Sequence, residues 1–256
     1  MRNIRRFSIL ALTLLLFAGA AQAGVPGVIQ FESTEVASSD TDFSQSAPSQ
    51  ITANSSVEIP SATLSPEAAA LEWNLTLVNS THPVPDNWQV ELKELSNGRK
   101  VDARIYPDLQ AMFDACRAAG LSPKVNQGYR SYQDQEDILV SKYRQYKKQG
   151  LSHEDAQRKA LTVASYPGYS EHQLGLAVDI NSADQEKCSN DRVWKWMKQH
   201  CQEYGFIWRY PGVKSDITGI TNEDWHFRYV GREAASYIME NELCLEEYLQ
   251  QQYGIN

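Results

Sequence analysis

The chain has 256 residues, of which 42% are hydrophobic, and it carries a formal net charge of -8 at pH 7. This length and composition predict a globular protein with one domain of ordinary size. The acidic balance and the lack of a basic stripe argue against nucleic-acid binding, which depends on the neutralisation of phosphates.

The N-terminus has the pattern of an export signal. Arg2, Arg5 and Arg6 precede an apolar run at 8–17 that is short for a membrane span, and a small-x-small cleavage site follows at Ala21-Gln22-Ala23. We therefore predict a signal peptide at 1–23, no stable membrane insertion after its cleavage, and a mature protein in the periplasm, in the cell wall or secreted. The alternative is an uncleaved N-terminal membrane anchor.

Residues 24–65 are rich in Ser, Thr, Gln, Asp and Ala, and their few apolar residues show no period. Such a segment cannot bury enough apolar surface to offset the entropy of ordering, so a disordered linker is predicted. The rest of the chain, 66–256, is predicted to form the single folded domain, and a monomer is the expected state.

Turn, capping and periodicity signals predict the elements of this domain. In chain order they are an extended segment at 75–78, a hairpin of 89–95 and 99–105, a helix from Pro107 to Gly120, a strand at 124–129, a helix capped by Ser131 and ended by Gly150, and a helix capped by Ser152. The second half continues with a strand at 176–181, a helix capped by Asn190 or Asp191 and ended by Gly205, strands at 206–210 and 224–230, and a helical tail from Glu233. Helices and hairpin-type strands alternate in blocks, which predicts the α+β class.

The four cysteines are Cys116, Cys188, Cys201 and Cys244, and their spacing fits no zinc finger. Disulfides are the first expectation in an oxidising compartment, and a bond between Cys201 and Cys244 would attach the tail to the body of the domain. The pairing stays open among three connectivities, and four buried free thiols are the alternative.

The segment Ser170-Glu171-His172-Gln173-Leu174-Gly175-Leu176-Ala177-Val178-Asp179 leads into a predicted strand. Alternation along that strand directs its Leu and Val side chains to the core and Asp179 to the opposite face. On that face Gly175 and Ala177 leave room for an ion and a substrate. His172 is an odd number of residues from Asp179, so we expect it on a loop that folds back over the strand.

The segment Glu223-Asp224-Trp225-His226 begins a second strand. His226 joins His172 and Asp179 as a candidate metal ligand. Two imidazoles and one carboxylate form a set typical of catalytic zinc, which keeps one coordination position open. Glu223 is close enough in sequence to act as a base beside the metal.

The pattern Ser-x-His-x-x-Gly-x-Ala-x-Asp followed by Glu-x-Trp-His resembles the zinc D-alanyl-D-alanine carboxypeptidases of the VanY type, which are related to the VanX dipeptidases and the Hedgehog signalling domain. The resemblance extends to Gly128-Tyr129-Arg130-Ser131 and to 225–231. It implies a small, mainly antiparallel sheet flanked by helices, with zinc in a cleft on the sheet. One departure is Asp224, where the family often has proline. We expect this extra acid to alter the pKa of the base without removing the site.

The resemblance also implies roles for single residues. His172, Asp179 and His226 would bind one Zn²⁺ per chain, and Glu223 would serve as general base and later as general acid. Arg130 would polarise the scissile carbonyl and stabilise the oxyanion, which suits a permanently charged guanidinium. The expected substrate contacts are Ser170, whose alternative role is to stabilise a turn, and Tyr129 and Gln135, which would line the cleft.

We therefore expect a zinc metallopeptidase that removes the terminal D-Ala from peptidoglycan stem peptides. The alternatives among enzymes are a cell-wall L,D-carboxypeptidase, a D,D-dipeptidase and an endopeptidase. The alternative from another class is a non-catalytic zinc-containing binding module, against which the presence of Glu223 and Arg130 argues.

Overall fold

The computed structural model describes residues 72–255. The predicted signal peptide at 1–23, the predicted linker at 24–65 and the predicted start of the domain at residue 66 lie outside the described residues. Among the helices of 72–255, none is long and apolar enough to cross a bilayer.

The described chain alternates strands and helices in the order expected for an α+β domain. In chain order these are β1 Leu92–Glu94, β2 Lys100–Asp102, α1 Tyr106–Ala118, β3 Pro123–Gln127, α2 Tyr132–Lys148, α3 His153–Leu161, β4 Ala177–Ser182, α4 Asn190–His200, β5 Phe206–Tyr210, the single turn α5 Ser215–Thr218, β6 Glu223–Tyr229, α6 Arg232–Glu240 and α7 Leu245–Tyr253. Short 3-10 turns connect several of these elements, and the one at Glu171–Leu174 precedes β4.

The strands form two antiparallel sheets. β1 and β2 pair as the predicted hairpin, and the other four strands are arranged in the order β3-β4-β6-β5. In the central pair of the larger sheet, Asp179 of β4 lies directly opposite His226 of β6. Because directly opposed residues share one face of a sheet, this register brings the two side chains together.

Two hydrophobic clusters cover the sheet. The main cluster joins Leu176, Val178 and Ile180 to side chains of α1 and α4, and all three residues are fully buried. A second cluster joins Ile207 of β5 to apolar residues of α6 and α7. Alternation along β4 therefore directs Asp179 away from α1 and α4.

The capping signals of the sequence explain where the helices begin. The hydroxyl of Ser131 accepts the amide of Asp134, and the Asp134 carboxylate accepts the amide of Ser131, which makes a capping box at the start of α2. The prediction for α4 is wrong by one residue, because its N-cap is Ser189. Asn190 instead accepts the backbone amide of Ser182 at 2.8 Å and ties the helix to β4.

The two ends of the described chain differ from the expectation. A 3-10 turn at Trp73–Leu75 replaces the start of the extended segment predicted at 75–78. The helical tail is divided into α6 and α7, because Glu242 adopts a left-handed conformation with φ of 52° that a continuous helix does not permit.

All four cysteines are buried free thiols, so the expected disulfides, including the Cys201–Cys244 bond, are wrong for this structure. Cys201 packs in the main cluster with Cys116 and Cys188, whereas Cys244 is the N-cap residue of α7. Burial raises the pKa of Cys201 to about 12, so this thiol stays protonated and unreactive at neutral pH.

Candidate active site

A tight turn before β4 carries His172 back over the sheet. The 3-10 turn Glu171–Leu174 ends at Gly175, whose φ of 76° is in the left-handed region. A Cβ at Gly175 would lie 3.0 Å from the backbone nitrogen of Asp102, so both conformation and space require glycine there. The Nδ1 of His172 donates to the carbonyl oxygen of Gly128 at 2.8 Å, which leaves its Nε2 free to face the cleft.

The three candidate ligands converge on one point. The Nε2 of His172 lies 3.4 Å from Oδ1 of Asp179, and the Nδ1 of His226 lies 3.3 Å from the same oxygen. All three residues are buried, and one ligand atom from each lies within 4.8 Å of the other two. This Oδ1 is buried and has no hydrogen-bond partner among the described residues. An orphaned carboxylate oxygen between two imidazoles fits a divalent cation.

The electrostatics of the cluster favour a cation. Burial lowers the pKa of His172 to about 4, so its imidazole is neutral and able to act as a ligand. Burial alone would also lower the pKa of His226, but the carboxylates of Asp179, Glu171 and Glu223 raise it well above its usual value. This concentration of negative charge around His226 is what a metal ion would neutralise.

A cavity of about 160 Å³ lies over the cluster. The predicted site residues that line it are Arg130, Gln135, Ser170, His172, Asp179, Glu223 and His226. Glu223 has its Oε2 3.4 Å from Nδ1 of His226. Ser170 is buried, and its side chain forms no hydrogen bond that caps the turn after it.

Arg130 is held from two sides. Its Nη2 donates to Oδ2 of Asp179 at 3.1 Å, and its Nη1 donates to Oε1 of Gln135 at 3.1 Å. Gln135 in turn donates its Nε2 to the carbonyl of Ser165 at 2.8 Å. Gln135, which we expected to contact substrate, therefore also fixes the guanidinium. The Nε of Arg130 is buried without a hydrogen-bond partner in the described part of the chain.

Asp224 forms its interactions outside the cavity. Its carboxylate accepts from Nζ of Lys198 at 2.5 Å and from Nδ2 of Asn222 at 3.0 Å. Because its charge is paired with Lys198, this departure from the family pattern adds no free carboxylate to the lining of the cleft.

Tyr129 is not among the residues of 72–255 that line this cavity, and its role as a substrate contact stays a prediction. Its amide donates to the carbonyl of Lys100 in the hairpin, whereas the next amide, of Arg130, donates to the carbonyl of His172. Successive amides that point in opposite directions are typical of extended backbone, in which successive side chains also diverge.

Glu171, to which the motifs alone assign no role, lies beneath His226. Its Oε1 accepts from Nε of Arg209 at 2.8 Å and from Nη1 of Arg228 at 2.9 Å, and its Oε2 lies 3.4 Å from Nε2 of His226. A signal was present in the sequence. Arg228 follows the candidate ligand His226 by two residues in a strand, so it shares the same face, and if buried it needs a counter-charge. Glu171 is the acid of the first motif that had no assigned role.

The VanY family model, described as D-alanyl-D-alanine carboxypeptidase, matches residues 98–232. A D-alanyl-D-alanine carboxypeptidase of Enterococcus faecalis is 48% identical over 188 residues, which are 73% of this chain and 70% of that protein. The chain belongs to the VanY family. Membership confirms the resemblance that the two motifs indicate.

Two solved VanY structures share the fold. VanYB in complex with D-alanine-D-alanine superimposes on this protein with a TM-score of 0.69 at 48% identity. The superposition covers 71% of this chain and 99% of the VanYB chain. A mutant of the vancomycin resistance D,D-pentapeptidase VanY in complex with Zn(II) has a TM-score of 0.68 at 49% identity, with 70% and 99% of the chains covered. The predicted α+β class is therefore confirmed as the VanY fold.

Proposed function

We propose that this protein is a zinc-dependent D-alanyl-D-alanine carboxypeptidase that removes the terminal D-alanine from peptidoglycan stem peptides. The observation that carries the proposal is the convergence of His172, Asp179 and His226 beside the carboxylate of Glu223. The VanY relatives solved with D-alanine-D-alanine and with Zn(II) support the substrate class and the metal.

Each residue of the cleft has a chemical task in this reaction. His172, Asp179 and His226 would hold Zn²⁺, which would supply a Lewis acid for the scissile carbonyl and for the attacking water. Glu223 accepts a proton from that water and delivers it to the amide nitrogen of the terminal D-alanine as the C–N bond breaks. The products are the shortened peptide, with a new carboxylate, and free D-alanine.

Arg130 and Ser170 bind the substrate. The guanidinium of Arg130 lines the cavity and is held by Asp179 and Gln135, and the second N–H of each terminal nitrogen is a donor for the carbonyl oxygen where negative charge develops. The hydroxyl of Ser170 donates to the peptide, a role supported by its position on the cavity wall and by the missing capping bond.

The proposed substrate is a component of the cell wall, so the enzyme acts outside the cytoplasm. The predicted signal peptide at 1–23 supports export to that compartment. If the N-terminal segment stays uncleaved as a membrane anchor, the predicted linker at 24–65 would hold the folded domain away from the membrane.

The test is an assay of purified protein on three substrates: a stem pentapeptide that ends in D-Ala-D-Ala, a tetrapeptide that ends in one D-Ala, and the free dipeptide. We expect D-alanine release from the pentapeptide. Release from the tetrapeptide alone would make the protein an L,D-carboxypeptidase, and release from the dipeptide alone would make it a dipeptidase.

Glu223→Ala is the catalytic control. We expect it to reduce D-alanine release by about 10²-fold to 10⁴-fold or more, the usual contribution of a general base, while zinc still copurifies in the same amount. Undiminished turnover would remove Glu223 from the mechanism. A wild-type protein that binds zinc but cleaves none of the three substrates would be a binding module instead.

A further inference from the structure

A buried chain of charged side chains connects the C-terminal helix α7 to the metal-binding face of the sheet. Glu246 of α7 accepts two hydrogen bonds from Arg209 of β5, at 2.8 Å from Nη1 and 2.7 Å from Nη2. The Nε of Arg209 donates to Oε1 of Glu171 at 2.8 Å. The other oxygen of Glu171 lies 3.4 Å from Nε2 of His226. Three links therefore lead from the last helix to a candidate metal ligand.

The chain is shielded from water at every link. The side chains of Arg209 and Glu171 are 0% exposed, and that of Glu246 is 13% exposed. Charge-assisted and bidentate hydrogen bonds are strong in such surroundings and hold a defined geometry. The guanidiniums of Arg209 and Arg228 pair with Glu171 at 2.8 and 2.9 Å, so the charge of its buried carboxylate is compensated.

The pairing of Glu171 leaves one oxygen for His226. Its Oε1 accepts from both Arg209 and Arg228, at 2.8 and 2.9 Å. Its Oε2 and the Nε2 of His226 are both buried, and neither has a hydrogen-bond partner elsewhere in 72–255. The two unpaired atoms face each other, so each is the natural partner of the other.

The orientation of the imidazole follows from this contact. When the Nε2–H of His226 points to Glu171, the lone pair is on Nδ1, the atom that faces Asp179 and Glu223. A carboxylate behind a ligating histidine fixes its tautomer and ring orientation and strengthens it as a ligand.

We propose that Glu171 is a positioning residue for the metal ligand His226, and that Glu246 of helix α7 controls Glu171 through Arg209. The two carboxylates and the guanidiniums of Arg209 and Arg228 balance in charge. Without the charge of Glu246, Glu171 is the only carboxylate that neutralises Arg209. The carboxylate of Glu171 then interacts more strongly with Arg209 and less strongly with His226. The inference rests on the proposed function, because it takes His226 to be a zinc ligand.

The experiment measures the zinc dissociation constant of the full chain by competition with a chromophoric chelator, with no substrate present. We expect Glu246→Gln to raise this constant about 10-fold and Glu171→Gln to raise it up to about 100-fold, the range seen when outer partners of a ligating histidine are lost. Gln preserves the shape of both side chains, removes the charge and replaces one acceptor oxygen with an amide donor.

Glu247→Gln is the matched control. Glu247 is the next residue of α7, it is also ion-paired, to Lys214 at 2.8 Å, and its side chain is 25% exposed. None of its ion pairs or hydrogen bonds within the described residues involves Arg209. We expect its zinc dissociation constant to equal that of the wild type.

Thermal unfolding of the metal-free proteins defines a temperature at which each variant is folded, and the titrations are done there. If Glu246→Gln does not fold, Glu246→Asp keeps the charge on a shorter side chain, and we expect an increase of a few fold. Equal zinc dissociation constants in wild type, Glu171→Gln and the Glu246 variant would overturn the inference. If the zinc dissociation constants are equal but the wild type still releases D-alanine in the presence of zinc, the proposed function remains intact. A wild type that releases no D-alanine would refute the proposed function itself.

Discussion

In several side chains of the cleft, one polar atom hydrogen-bonds to a neighbouring residue and another polar atom remains free. His172 donates Nδ1 to the carbonyl of Gly128 and leaves Nε2, and Asp179 accepts from Arg130 on Oδ2 and leaves Oδ1. Arg130 uses both terminal nitrogens on Asp179 and Gln135 and leaves Nε. The free atoms of His172 and Asp179 are those to which we assign the metal, so this part of the cleft is organised before the metal arrives.

Arg130→Lys tests this organisation. An ammonium donates from a single nitrogen and lacks the planar fork of the guanidinium, so it cannot reproduce the spacing with which Arg130 contacts Asp179 and Gln135 and presents a donor to the substrate. We expect kcat for D-alanine release to fall about 10²-fold to 10³-fold, the usual effect of losing one oxyanion donor, while zinc content is unchanged.

The control for that substitution is Arg104→Lys. Arg104 also pairs with an aspartate, Asp102, but its side chain is 41% exposed and lies outside the cavity lining. Its kcat should match that of the wild type. A wild-type kcat in Arg130→Lys would show that the guanidinium is not needed for the reaction.

At the scale of elements, helix α2 begins immediately after Arg130 and carries Gln135 against it. The capping box of Ser131 and Asp134 fixes the first turn of this helix. The position of Gln135 relative to Arg130 therefore depends on where the helix begins. The capping signal, a serine three residues before an acid, is visible in the sequence, and it affects the position of Gln135 in the site.

Ser131→Ala and Ser152→Ala separate stability from positioning. Both serines cap helices by accepting the amide three residues later, but only Ser131 adjoins Arg130. We expect each substitution to cost about 1 kcal/mol in the free energy of unfolding, measured with urea. Only Ser131→Ala should also lower kcat, by several fold, at a temperature where both variants are folded. Equal kcat values in the two variants would contradict a positional role for this cap.

The elements themselves were largely predictable because their signals are local. The buried face of α1 follows from the spacing of Leu109, Met112 and Phe113, and the start of α2 follows from its cap. The division between α6 and α7 was not predictable, because it depends on a left-handed residue, Glu242, whose side chain gives no warning. The sequence predicts disulfides first and buried free thiols only as the alternative, because a disulfide requires proximity in space, which spacing does not report.

At the scale of the whole molecule, the site joins residues that are far apart in sequence. The two motifs indicate that His172, Asp179 and His226 belong together, and the register of β4 against β6 places two of them opposite each other. The chain of charges through Arg209 to Glu246 joins two further segments, β5 and α7, and leaves no periodic pattern. Pairings of this kind depend on tertiary packing, so they become visible only in the structure.

The most direct test of the account is calorimetric titration of zinc into the metal-stripped protein and into His172→Ala, Asp179→Ala and His226→Ala. We expect one zinc per wild-type chain, recovery of D-alanine release as zinc is added, and a loss of zinc affinity of about 100-fold or more in each variant, since three protein ligands form the site. Wild-type zinc affinity and stoichiometry in any one of the three variants would contradict the shared site on which the proposed chemistry depends.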